Sequence, residues 1–470
     1  MSLILFFSSV QGGFFCVGKK QFYWLALLPA RSFTGGLYAE AAEAPQAAAV
    51  ASVQGIEQVT VISKSYGDGE LPAYVVLKYP YSLDSKQLAA ADYTVEGRTV
   101  EKVTTNMEPT AEKDVPGCYV VLHLAHTNTS FDGDLAARAK QDAAQAGQAD
   151  AAGDDKGGKG VDAPWIADRQ PPDLTVKVSQ VKDVKAQDGT VYAASSQAHS
   201  DSGVVEQDVD RFTQHVYKDP ETGCEMPYNL YLPKDYDPNK SYPLVFFVAD
   251  ARVNINNTKT PLFQGNGATV WTEPEAQAKH PCIVLAPQYT QDLVQSIGMM
   301  TTDENVWTPG LTFVTHLLQD TIENYAVDKT RIYGTGQSQG GMTNIAISDR
   351  YPDLFAAQWL VACQWNVQEM AAMKDKKLWI TVCEGDNKAF PGMNEATALW
   401  ESLGSSVARN ASPWWNSKSP VAELDEQVRE LAAQGKKINY TVFANGNHMY
   451  TWSFAYGIDA IRDWLFAQKK

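Results

Sequence analysis

Ser338 stands between two glutamines in Gly336-Gln337-Ser338-Gln339-Gly340, a G-x-S-x-G pattern that makes it a candidate nucleophile. The residues before it (Arg331-Ile332-Tyr333) have strand character, and those from Met342 onward read as a helix. A serine at a sharp strand-to-helix turn is lifted clear of its sheet. The neighbours must then lack a Cβ, because strand and helix approach closely there, and Gly336, Gly340 and Gly341 supply that. The same turn aims the first helical N–H, at Gln339, toward an incoming carbonyl oxygen. Gln337 is read as packing only. A serine hydroxyl is a weak nucleophile unless a base takes its proton. Of seven histidines only His448 follows Ser338. It lies in ANGNHMYTW, beyond the apolar run INYTVF, on what reads as a turn-forming loop. An acid between the two would orient the imidazole. KLWITVCEGDNKAF (377–390) offers Glu384 and Asp386, and Asp386 is preferred because it follows both the strand and Gly385. The expected set is Ser338, Asp386 and His448, each at the end of a different strand, suited to attack on a carbonyl carbon.

Three such residues, 110 positions apart at the extremes, need a sheet whose strand ends converge. YPLVFFVAD (242–250), HPCIVLAPQY (280–289), AAQWLVAC, KLWITVC and INYTVF are near-continuous apolar runs. Helical stretches alternate with them, at LTFVTHLLQDTIENYA and near 391–404, 421–434 and 453–467. This alternation predicts a mostly parallel sheet covered on both faces, with ligands at the carboxyl ends of its strands. Ahead of it, EQVTVISKSY, AYVVLKYPY, YTVEGRTVEKVTTN and GCYVVLHLAH are short β-type runs split by turn residues, as in a small sandwich. Residues 133–161, dominated by Ala, Asp, Gln, Gly and Lys, read as a disordered insertion in that sandwich. The β pattern resumes over 174–194.

With 470 residues and 44% hydrophobic content the chain is long enough for two or three domains. The expected division is an export signal and linker over 1–50, an all-β sandwich over 51–211 and an α/β domain over 212–470. Lys19-Lys20, the apolar run FYWLALLPA and the small-residue sites of YAEAAEAP have the order of an export signal, so a secreted or cell-surface location is expected. An uncleaved N-terminal anchor would be the one contact with a membrane. A formal charge of −16 repels nucleic acid, which is set aside as a partner. The six cysteines form no CxxC pair; they read as buried small hydrophobes, with a Cys363–Cys383 disulfide as an option. No metal-binding spacing, P-loop or dinucleotide fingerprint occurs, so no cofactor is expected.

Residues 216–470 resemble α/β-hydrolase esterases of the carboxylesterase and polyhydroxybutyrate-depolymerase-like group, also called predicted peptidases. The matching stretches are GCEMPYNLYLPKDYDP, YPLVFFVADA, GATVWTEPEAQAKHPCIVLAPQY, GTGQSQGGM, CEGDN, GNHMYTW and RDWLF. The front region resembles the Ig-like N-terminal domain of some exported members. The resemblance implies an α/β-hydrolase fold and hydrolysis through a serine acyl-enzyme. It also implies that the loop after YPLVFFV gives a second oxyanion donor, placed at Ala251 beside Gln339. This chain departs from the family there: Ala249 replaces the usual histidine and Arg252 a small residue, but a backbone N–H can still serve. Trp307, Tyr450 and Trp452 are expected to line the substrate pocket. The expected substrate is a small-molecule or polysaccharide-linked ester, since an alcohol leaves more readily than an amine. A serine peptidase or an inactive surface binding protein are the alternatives.

Overall fold

The computed structural model describes residues 55–128, 171–444 and 446–470. The expected export segment over 1–50, Cys16 and the expected insertion over 133–161 lie outside these residues.

The front domain is built on period-2 alternation. In Gln58–Tyr66 and Gly69–Leu83, Val59 and Val61 face the same side as Val75, Leu77 and Tyr79, all buried. Val61 pairs with Val75, and Val75 with Leu122 of Gly117–Leu124, so three fully buried side chains lie abreast. Each such side chain contributes on the order of 1.5–3 kcal/mol by leaving water. The five-stranded sheet runs in the order Gly203–Glu206, Gln58–Tyr66, Gly69–Leu83, Gly117–Leu124, Val100–Asn106. A second layer contains the three-stranded sheet of Tyr93–Val95, Lys177–Gln180 and His199–Ser200 and the hairpin Val184–Lys185/Val191–Tyr192. Tyr93, Val178 and Tyr192 of this layer share one core with the first sheet, and Tyr79 OH bonds Gln180 Oε1 across it (2.8 Å). This is the expected Ig-like sandwich.

The second domain holds a ten-stranded sheet. We number its strands β1 (Thr213–Lys218), β2 (Glu225–Tyr231), β3 (Tyr242–Val248), β4 (Ile283–Pro287), β5 (Val327–Gln337), β6 (Ala357–Val361), β7 (Leu378–Cys383), β8 (Val407–Arg409), β9 (Trp415–Asn416) and β10 (Ile438–Ala444). The order is β1-β2-β4-β3-β5-β6-β7-β10-β8, with β9 also on β10. β2 is antiparallel to β1 and β4; every pairing from β4 to β8 is parallel. The main helices are α1 (Pro309–Asn324), α2 (Gln339–Arg350), α3 (Ala389–Ser402), α4 (Val421–Ala432), α5 (His448–Ala455) and α6 (Asp459–Phe466). Thr308 caps α1 by accepting from the Leu311 N–H, with Pro309 in the first turn where its missing donor costs nothing.

Continuous apolar runs follow from burial on two faces. Alternate residues of β3 enter different cores: Leu244, Phe246 and Val248 join Leu311, Val314 and Leu317 of α1, whereas Val245 and Phe247 join Trp271, Phe443 and Ile461. The α/β-hydrolase expectation therefore stands, with one correction at the C-terminus. The single helix expected over 453–467 is two helices, α5 and α6, separated around Gly457, and the first begins at His448. Asn447 is the reason: its side chain accepts from the Tyr450 N–H (2.9 Å) and starts a helix where composition suggests a turn. The disulfide option is also corrected. Cys363 and Cys383 are free and buried, as is Cys282. Burial pushes the Cys282 and Cys383 thiols up to about 12, and it raises Cys363 as well.

The two domains touch beside α5. Asn128 Nδ2 donates to Ser453 O (2.9 Å), Ser65 Oγ to Leu262 O (2.9 Å), and Lys259 Nζ meets Glu206 Oε2 (2.9 Å).

Candidate active site

Because β3, β5, β7 and β10 are parallel, their carboxyl ends share one edge of the sheet. Each is followed by a short connection carrying one piece of the site. After β5 the chain reverses into α2 through Ser338, whose φ of 50° and ψ of −119° lie in a sparsely populated region. Such a conformation costs about 1–3 kcal/mol and persists only where its surroundings over-determine it. Ser338 N–H donates to Val361 O at the end of β6 (3.1 Å), and the Gly340 backbone lies against Val248 of β3. A Cβ on Gly340 would be driven into the Val248 carbonyl. Gly340→Ala is therefore expected to destabilise the protein by about 1–3 kcal/mol through overpacking against backbone that cannot yield. It should also displace Ser338. Urea unfolding and ester assays on the variant measure both, and wild-type values would contradict the steric reading.

Asp386 follows β7 by three residues and is 1% exposed. Its Oδ1 accepts from the N–H groups of Lys388 (3.0 Å) and Ala389 (2.9 Å) at the start of α3. Its Oδ2 lies 2.6 Å from His448 Nδ1, and His448 Nε2 lies 2.8 Å from Ser338 Oγ. A carboxylate can only accept, so Nδ1 carries the proton and Nε2 is left to accept from the hydroxyl. Gly385 N–H bonds Gly446 O (2.9 Å), tying the acid loop to the histidine loop one and two residues away from the reactive groups. Glu384, the other acid, is exposed and its N–H bonds Phe443 O.

Burial of the Asp386 carboxyl opposes its charge, but the nearby imidazole and the two N–H donors outweigh burial and hold it below the ordinary aspartate value. Burial also opposes a charged His448. Asp386 overcomes that, with help from Asp250, and raises the imidazole above its ordinary value despite Lys388. The His448 side chain keeps 33% of its surface exposed, so the ring that joins the two partners also faces outward.

The loop after β3 forms a short turn, Ala251–Val253, capped by Asp250, whose Oδ1 accepts from the Arg252 N–H (2.9 Å). Arg252, where the resemblance leads one to expect a small residue, extends a guanidinium nitrogen to Met449 Sδ beside His448 (2.8 Å). Gln339 opens α2, so its N–H has no carbonyl acceptor within the helix.

The expected pocket aromatics are placed otherwise. Tyr450 and Trp452 are each 4% exposed and belong to the core beneath α5. Tyr450 OH accepts from Ser417 Oγ (3.3 Å), and the Trp452 ring meets the His448 ring edge-on at 5.3 Å, as residues four apart on a helix do. Trp452 thus packs against the base. Trp307 donates its Nε1 to Thr312 of α1 (2.8 Å) and carries the Arg350 guanidinium 4.4 Å from its ring centre. Arg350 ends α2, roughly 16 Å along the helix from Gln339 at 1.5 Å per residue, so this indole lies toward the far end from Ser338. The partners that sequence reasoning missed are Asp250 and Asn254 of the β3 loop, which take hydrogen bonds from or give them to Gln337 and Gln339. Two amides flanking a nucleophile at apolar depth were the available signal.

Two family profiles match the chain: the "Esterase Ig-like N-terminal domain" over residues 58–193, and Esterase, described as "Putative esterase", over residues 220–455. Among solved structures the chain is similar to a thermostable esterase, with 25% identity, a TM-score of 0.65, and coverage of 88% of this chain and 100% of that one. It is also similar to a ferulic acid esterase (12% identity, TM-score 0.37, 55% of this chain and 98% of that one). A third is the feruloyl esterase module from Clostridium thermocellum complexed with sinapinate (14%, TM-score 0.36, 53% and 86%). No curated protein matches the chain.

Proposed function

This chain belongs to the Esterase family, whose profile runs from just after β1 to the end of α5, and from that membership we propose a serine hydrolase that cleaves carboxylic esters through an acyl-enzyme. The observation that carries the serine assignment is the His448 ring, bonded to Asp386 on one nitrogen and to Ser338 on the other at 2.6 and 2.8 Å. His448 Nε2 takes the hydroxyl proton as Ser338 Oγ attacks the ester carbonyl. Asp386 keeps the imidazole in the tautomer that can accept and stabilises the cation that forms. The N–H groups of Gln339 and Ala251 hold the developing oxyanion. On collapse, the C–O bond to the alcohol breaks and His448 Nε2 returns the proton to that oxygen. Water, deprotonated by the same nitrogen, then attacks the acyl-Ser338 ester and releases the acid.

Esters are favoured over peptides because an alkoxide leaves more readily than an amide anion, so less is asked of His448 as an acid. The substrate is a small-molecule or polysaccharide-linked ester, reached outside the cytoplasm if the N-terminal charge and apolar pattern act as an export signal. The test is a fluorophosphonate probe followed by peptide mapping, alongside a panel of acetyl, butyryl, feruloyl and peptidyl substrates. Label on Ser338 with ester turnover above peptide turnover is the expected result. Absence of both label and turnover in folded protein would leave an inactive binding protein as the reading.

A further inference from the structure

The two glutamines around Ser338 are 1% and 3% exposed, and neither satisfies its whole amide. Gln337 Nε2 donates to Asp250 Oδ2 (3.1 Å), while its Oε1 is buried with no partner among the described residues. Gln339 Oε1 accepts from Asn254 Nδ2 (3.4 Å), while its Nε2 is likewise buried with no partner among the described residues. Burying half-satisfied amides is costly, and methionine would fill the same space without that cost. The retained amides share one geometric feature. Their partners, Asp250 and Asn254, are themselves buried and stand at the two ends of the Ala251–Val253 turn. Asp250 also fixes the turn from within through the Arg252 N–H. Gln288, at the end of β4, donates to Val253 O and Ile255 O (2.6 Å each) and secures the turn's other side.

We propose that Gln337 and Gln339 are positioning residues that clamp the 250–254 turn to the serine elbow, fixing the distance between the Ala251 and Gln339 N–H groups. The inference rests on the serine-esterase reading above. Both donors act on charge that develops only as the carbonyl becomes tetrahedral. Loosening one end of the turn therefore lowers kcat more than it raises KM.

The test is Gln337→Met and Gln339→Met, each assayed for kcat, KM, the pH profile and inhibition by a trifluoromethyl ketone, which adds to serine as an oxyanion. Each variant is expected to lose up to about 100-fold in kcat with KM little changed, the effect of a misplacement near 1 Å. Ketone affinity should fall by a similar factor, and the acid limb of the pH profile should stay in place because His448 keeps its partners. Gln337→Met combined with Asp250→Ala should lose no more than the worse single variant. If Gln337→Met does not fold, Gln337→Asn keeps an amide that falls short of Asp250 and should show the same kcat loss. An active wild type whose folded variants keep full kcat and ketone affinity overturns the clamp alone. A wild type that hydrolyses no ester overturns the clamp and the reading beneath it.

Discussion

Ser338→Ala is expected to lower ester turnover by on the order of 10⁶-fold, the loss seen when a serine nucleophile acting in concert with a base is removed. What survives would come from the oxyanion donors and substrate binding alone, about 10³–10⁴ over water. Stability should hardly change. The side chain is partly exposed, and the bond it gives up is the one to His448 Nε2. Alanine inherits the same positive φ, so the strain of the elbow is neither relieved nor increased. The loss of one hydrogen bond to a half-exposed ring is worth about 1 kcal/mol at most. Steady-state turnover of p-nitrophenyl acetate and a calorimetric melt decide the matter together. Wild-type turnover in this variant removes the nucleophile assignment, and a collapse in melting temperature makes Ser338 a structural residue.

Asp386→Asn should cost about 10⁴-fold in kcat for a different reason. The amide can present N–H groups to His448 Nδ1. The imidazole then holds its proton on Nε2, where it blocks acceptance from Ser338. The pH profile adds an independent sign. Activity needs neutral His448, whose value is raised above 6.5, so the wild-type kcat/KM should fall through an acid-side midpoint above 6.5. Without Asp386, burial prevails and that midpoint should move to lower pH. Stability follows the same linkage. The raised imidazole contributes fully below 6.5 and loses its contribution as pH climbs through the folded-state value. The depressed carboxyl contributes above 3.8 and loses its contribution as pH falls through its lower value. Rate across pH 5 to 9 and melting temperature followed from pH 9 down to about pH 2 would check both, and an unmoved acid limb would remove Asp386 as the orienting acid.

How much of this was readable in the chain depends on what each feature is made of. The elbow was legible because its requirement is local: a strand, a serine and glycines where no Cβ fits, as the Gly340 contact with Val248 explains. The Asp386–His448 pairing was legible because strand ends of a parallel sheet converge, so their order was enough. The aromatics were misplaced because their direction depends on where α5 begins. Asn447 starts the helix at His448, and that turns Tyr450 and Trp452 into the core. Trp307 depended on α1 and α2 lying side by side, which residue type alone does not encode. Asp250 and Asn254 escaped because they reach Gln337 and Gln339 only through the neighbouring of β3 and β5. A strand of fully apolar residues gives no sign of which strand lies beside it.

The buried sulfur atoms have a consequence for handling the protein. Cys282, Cys363 and Cys383 are sealed in the interior with their thiolates suppressed, so oxidants and alkylating reagents do not reach these three while the chain stays folded, whereas Cys118 and Cys224 are only half-buried. Heat releases all three together, at ordinary acidity and with no native pairing to return to. Warmed in air, the enzyme would be trapped by scrambled crosslinks, and its working lifetime would be set by the rate at which it first opens.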